Sequence, residues 1–294
     1  MTNWKDKAGA TLLIFVLVVV SVWFLYKFAQ EHYNKEQAIF VMNDVKGDDH
    51  GPGTYEYPID SIFDPKEKHF DLNRFSFSSY RNMYYFDMSF PLVTNPWGAP
   101  EGFSHTMVQI YISDNPDRGR IEPFKPGANV LFDPGNPWRY LIKVVSFNKA
   151  TVYWASDFEG AEGRRTDMSA RLRPDGNTIR VTVPKRFLPG DPYKWKYYVL
   201  VGSQDGMGPD NFRVVRAKIG QYNFGGGADT EYSPNIIDLL APPKEQEKML
   251  SSFSVPQNTQ AVIKPVGPSE TSPGTWEIFL DKTISVLQKL KVNL

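Results

Sequence analysis

The run Gly47-Asp48-Asp49-His50-Gly51-Pro52-Gly53 combines paired carboxylates with a sharply turning, glycine-rich backbone. Carboxylate and carbonyl oxygens together are what calcium takes, six to eight at a time. Asp44, Asp48 and Asp49 are therefore candidate ligands, and Asp205, Asp210 and Asp229 stand in similar glycine-rich settings. The spacing does not match an EF-hand loop, so the expected ion is a structural calcium. The plain alternative is that Asp and Gly are simply turn residues.

A second chemistry is sugar recognition, which needs flat aromatic faces and planar polar groups. Trp97, Trp138, Tyr140, Trp154 and Trp195 are the aromatic candidates. Trp97 and Trp138 lie in or beside Pro- and Gly-rich loops, which favours exposure. Asn95, Asn136, Gln204 and Arg139 could bond hydroxyls. Trp97, Trp138, Tyr140, Asn95 and Gln204 form the expected ligand-binding set. A haem b site would need axial His, Met or Lys ligands. His50, His69 and His105 stand against Met83, Met88, Met107 and Met207. His105 and Met107 share one face of an expected strand and cannot easily flank a single ring, so haem is disfavoured. No nucleophile elbow, P-loop, Rossmann fingerprint or HExxH helix is present. No carboxylate pair stands out for glycoside hydrolysis. A non-catalytic protein is expected.

The composition narrows the class further. The 294 residues carry 33 basic and 33 acidic side chains, and a neutral chain without a basic block argues against nucleic acid. The absence of cysteine excludes disulfides, thiolate metal sites and thiol nucleophiles. Residues Ala10 to Phe28 form an apolar stretch with Lys27 near its end. About 20 apolar residues are needed to cross the bilayer as a helix. Trp4, Trp23 and Tyr26 sit where amphipathic rings favour headgroups. Residues 1–37 thus read as a tail and a transmembrane anchor contacting lipid through 10–28, with the N-terminus cytoplasmic and the bulk extracytoplasmic. A cleaved signal peptide is the rival, but the residues after the apolar core make a poor cleavage site.

These sites must be held by residues 38–243, where short aromatic or β-branched runs alternate with turn clusters. Strands are expected at Phe70–Tyr80, Asn82–Leu92, His105–Ser113, Trp138–Ser146, Thr151–Trp154, Asn177–Val183 and Lys196–Gly202. In the run Thr178 to Val183, Ile179, Val181 and Val183 share one face, the period-2 sign of a half-buried strand. Strands at this density predict a mainly β protein, an antiparallel β-sandwich. Residues 244–273, rich in Pro, Ser and Lys, read as a linker. In 274–294, Trp276, Phe279, Leu280, Ile284, Leu287 and Leu290 recur at helical spacing, which predicts a C-terminal amphipathic helix. That helix would dock on the sandwich, on the membrane surface or on a partner protein.

Several motifs carry a family resemblance. They are the Gly47–Pro58 run, Asn95-Pro96-Trp97-Gly98, Gly202-Ser203-Gln204-Asp205-Gly206, Phe224-Gly225-Gly226-Gly227-Ala228-Asp229 and Pro234-Asn235-Ile236-Ile237-Asp238. With Asp133-Pro134-Gly135-Asn136-Pro137-Trp138, they resemble the C-terminal binding module of glucodextranase, over Asp44 to about Pro243. The resemblance implies a DOMON-like β-sandwich, related to family 9 carbohydrate-binding modules, and binding to an α-glucan or surface glycan. Here an anchor, not a catalytic domain, precedes the module. A structural or accessory subunit of an envelope complex is the alternative, and a haem-binding DOMON electron carrier the second alternative.

Overall fold

A computed structural model describes residues 19–24, 27, 35–124, 127–155, 165–205 and 208–268. One compact unit spans Ala38–Ser269; the other holds 1–37 and 270–294. In that second unit, 19–24 and 27 are helical. Among the described residues no helix is long and apolar enough to cross a membrane. Most of the expected anchor, and all of the expected helix at 274–294, lie outside the described residues.

The main unit is built from antiparallel sheets. Strands β1 (Gln37–Asn43), β2 (Arg74–Tyr80), β3 (Met83–Ser89), β9 (Ser169–Leu172) and β10 (Thr178–Pro184) form a five-stranded sheet in the order β1-β2-β3-β10-β9. A seven-stranded sheet has the order β12-β11-β4-β6-β7-β8. Its members are β4 (Thr106–Ser113), β6 (Tyr140–Val144), β7 (Thr151–Trp154), β8 (Arg165–Asp167), β11 (Lys196–Asp205) and β12 (Gly208–Phe212), with β13 (Asp238–Leu239) also on β11. All seven expected strand runs appear. Of the edge strands, β8 and β9, with three and four residues, carry little periodicity, and the seven residues of β1 include none that is buried.

Period-2 patterning sets the core. Along β3, Tyr84, Phe86 and Met88 are buried while the alternate residues are partly exposed. In β10, Ile179, Val181 and Val183 are fully buried, and the preceding turn is closed by Asp175, which accepts from the Asn177 and Thr178 amides. Facing residues of the two sheets, among them Phe75, Phe77, Phe86, Ile110, Ile142 and Val199, make the first core.

Strand β4 is buried along all eight residues. Its second face packs into a separate core containing Met107, Tyr111, Phe124, Phe132, Trp138, Met249, Leu250 and Ile263. The seven-stranded sheet is therefore covered on both faces. The outer cover includes a short helix, Glu245–Leu250, and β14 (Ala261–Ile263), which pairs in parallel with β5 (Val130–Phe132). Residues 244–268 thus differ from the expected linker. Met249, Leu250, Ala261 and Ile263 are buried there while Val255 and Val262 are exposed, and composition hid a small number of well-placed anchors.

Candidate metal centre

Four aspartates from separate parts of the chain gather at the joint between the sheets. Asp44 follows β1, Asp48 sits in the next loop, Asp71 precedes β2, and Asp238 opens β13. Asp48, Asp71 and Asp238 each place a carboxylate oxygen within 4.8 Å of the others. Oxygens on one calcium, each at 2.3–2.6 Å from it, are at most ~5 Å apart. Asp44 lies close enough to press on the charge of both Asp48 and Asp238.

Backbone bonds aim these groups. The Leu72 amide donates to Asp238 Oδ2 at 2.5 Å, and the Gly47 amide to Asp71 Oδ1 at 3.0 Å. The Val45 amide donates to Asp44 Oδ1 at 3.0 Å, and the Ala241 amide reaches the same oxygen at 3.4 Å. The Gln246 side chain ties the loop to the helix, donating to the Asp48 carbonyl and accepting from the Leu239 amide. Gly51 lets the loop turn here, because a Cβ on it would strike the Tyr55 ring and come within 2.9 Å of the Ile236 carbonyl.

Asp44 Oδ2, Asp48 Oδ1 and Asp238 Oδ1 are buried without a hydrogen-bond partner, and Asp238 is completely buried. An uncompensated buried charge is costly, so such a group either keeps its proton or meets a cation. Burial first, then neighbouring carboxylates, raises Asp44 to about 8 and Asp48 to about 6. Burial and the neighbouring acids also raise Asp238 and Asp71.

This gives a pH dependence with a definite sign. In the absence of cation the folded chain keeps protons that the unfolded chain, with its aspartates near 3.8, has already shed. The resulting stability is whole below about pH 4 and is lost as pH rises through about 6 and about 8. Melting curves in EDTA should therefore fall as pH rises from 5 to 8. Calcium should remove the decline, since a cation replaces the protons.

The structure sorts the expected ligands. Asp48 joins the cluster and Asp44 borders it. Asp49 does not join: it is buried beside Tyr57, whose hydroxyl donates to it, with His50 Nε2 3.9 Å away. Among the described residues, Asp205 and Asp229 belong to no such grouping. Asp205 ends β11 near Arg213, while Asp229 is an exposed turn residue 3.8 Å from Arg216. The Asp210 side chain lies outside what is described. Asp71 and Asp238 were missed, yet each carried a signal. An acid between Phe70 and Leu72, or between Ile237 and Leu239, is a charge at a core position.

The expected sugar-binding set is not assembled. Trp138 is 0% exposed beneath the outer layer, and Tyr140, 1% exposed, is buried in the core between the two sheets. Trp138 donates to the Glu122 carbonyl at 2.8 Å and packs edge-on to Tyr111. Gln204 is buried. Both ends of the Asn95 amide close their own loop on Ala99. Trp97 is half-buried, edge-on to His105 with ring centres 5.5 Å apart.

His105 precedes β4 with φ of 82° and is fully buried, its ring packed by Phe63, Phe70 and Trp97. Met107 instead joins the second core. The two residues therefore do not share a face as expected, because the left-handed backbone at His105 breaks the alternation. Burial, then Arg213, lowers His105 to about 3, a neutral imidazole wrapped in aromatic rings.

No curated protein matches the chain. The family profile of the C-terminal binding module, SLH-like, of glucodextranase matches residues 39–265, which takes in both sheets and all four clustered aspartates. The match also runs past residue 243 through the helix and β14, in keeping with their place on the sandwich. A chain matched over most of its length, with its body folded as one antiparallel unit, belongs to the family of the SLH-like C-terminal binding module of glucodextranase.

Proposed function

We propose that this chain is a non-catalytic, carbohydrate-binding-module-like protein whose sandwich is locked by calcium and held at the outer surface of a membrane. Family membership supports the binding role. The observation that carries the cation is the buried Asp48, Asp71 and Asp238 cluster with its orphaned oxygens. Calcium suits it better than magnesium, which demands regular octahedral geometry and usually keeps several waters. The ion would join β1 and β2 of one sheet to β13 on the other, and so act as a crosslink. Retention of the full chain on a glycan array with calcium tests the binding role, and no retention on any glycan would contradict it.

The anchor rests on the apolar stretch Ala10 to Phe28. In support, Val19, Val20, Val22, Trp23 and Phe24 are helical and each is at least 44% exposed. Lys27 lies over the Trp23 ring, a side chain reaching back along the helix toward an interfacial aromatic. On cell fractionation the full chain should stay with membranes through an alkaline carbonate wash, and deletion of 1–28 should release it. Release of the full chain by carbonate would contradict the anchor.

A further inference from the structure

A cleft of about 490 Å³ opens where the chain crosses from β8, at the edge of one sheet, to β9, at the edge of the other. Its lining includes Glu101, Asn148, Asp167, Met168, Ser169 and Arg171. Pockets of roughly 300–1,000 Å³ are typical of small-ligand sites. Three segments build it: the loop before β4, the turn between β6 and β7, and the β8–β9 crossing. Backbone bonds tie them together. The Leu172 amide donates to the Glu101 carbonyl at 2.9 Å, and the Met168 amide to the Ala150 carbonyl at 2.8 Å. The Glu101 carboxylate makes the third tie, accepting from the Phe147 amide at 3.0 Å and from the Asn148 amide at 2.5 Å. Phe147 and Asn148 have left-handed backbones, at φ of 57° and 55°, and this turn brings two successive amides onto one carboxylate. The fold therefore holds the cleft walls without help from a ligand.

The lining mixes acceptors with donors. Glu101 is only 8% exposed. An ionised carboxylate has about four lone-pair sites, and the two amides take one on each oxygen, so each oxygen can accept once more. Asp167 adds a further acceptor. Arg171 is exposed and offers donors only, while the Asn148 amide and the Ser169 hydroxyl can both donate and accept. Half-buried Met168 adds apolar surface. An ammonium group would use Glu101 but leave the Arg171 donors unmet and face a like charge. An anion would use Arg171 but face the buried Glu101 carboxylate. A neutral hydroxyl donates and accepts at once, so a ring bearing several of them can serve both kinds of group and lay its C–H face on Met168.

The geometry points to this cleft as the site for a neutral saccharide, its hydroxyls donating to Glu101 and accepting from Arg171, Asn148 and Ser169. This inference rests on the binding-module reading above. The test is binding of four probes to the full chain in detergent with calcium: maltotriose, cellotriose, a cationic glucosamine trimer and anionic trigalacturonate. One or both neutral probes should bind at least tenfold more tightly than either charged one. Arg171→Gln should weaken that binding roughly tenfold, as expected for loss of a charged hydrogen bond, and Ser169→Ala several-fold. Arg171 is exposed and stands opposite Arg180 in the sheet register, so Arg171→Gln should not lower the melting temperature. A charged probe bound as tightly as the neutral ones, or retention of charged glycans alone on the array, would overturn the neutral class. Neutral binding indifferent to both Arg171→Gln and Ser169→Ala would overturn the cleft and leave glycan binding standing. No binding to these probes or to any glycan on the array would overturn both readings.

Discussion

Removing divalent cation with EDTA at pH 8 is expected to lower the melting temperature of the full chain, and calcium to restore it. A ligand at about 100 times its Kd stabilises by ~2.7 kcal/mol, which for a domain of this size is roughly 5–10 °C. The effect is large because the cluster changes character when the ion leaves. With a cation, the Asp48, Asp71 and Asp238 carboxylates would be attracted to one centre. Without it they either repel each other in a buried place or hold protons that the unfolded chain has shed, both at a cost to stability, and Asp238 is wholly buried. Asp238→Asn separates the two states. Asparagine can still accept from the Leu72 amide, the role now filled by Asp238 Oδ2. It removes a group that must either repel its neighbours or hold a proton, so the metal-free variant should melt no lower than the metal-free parent. The calcium-dependent rise should disappear. If Asp238→Asn kept the full calcium response, the ion would lie elsewhere.

Trp138→Ala is the substitution expected to damage the fold most. Truncating a fully buried tryptophan costs ~3–5 kcal/mol through lost burial and the cavity left behind. Trp138 is 0% exposed, packs on Tyr111 and bonds the Glu122 carbonyl. Alanine also orphans that carbonyl. Trp138→Phe keeps an aromatic ring and loses mainly the hydrogen bond, about 1 kcal/mol. Denaturant unfolding of the two variants checks the order. Equal, near-wild-type stabilities would show that the outer layer is not the packed second core described above.

Trp138 also shows where the sequence misleads. Pro134, Gly135 and Pro137 mark its neighbourhood as a loop, and loops are usually at the surface. Here the loop is roofed by other chain, including the helix Glu245–Leu250 and β14, which composition alone presented as a linker. Local patterning carried the long strands well, because each has to hide one face, as Ile179, Val181 and Val183 do. It said little about a cover formed by short segments distant in sequence.

The aspartate cluster was half legible for a related reason. Gly47-Asp48-Asp49-His50-Gly51 concentrates acid and glycine in one place, so Asp48 was visible and its neighbour Asp49 was drawn in with it. Asp71 and Asp238 reach the cluster singly, from the chain ahead of β2 and from β13, and only the fold makes them neighbours. Tyr57 takes Asp49 out of the set, a pairing that spacing does not reveal.

The most direct measurement is a calorimetric titration of calcium into the metal-stripped full chain at pH 7.5, in buffers of different ionisation heat. A buried carboxyl cluster that exchanges protons for a cation predicts one saturable site, heats that vary with buffer because protons are released, and no saturable binding in Asp238→Asn. Absence of saturable binding in the unsubstituted chain, with a melting temperature indifferent to calcium, would contradict the central claim.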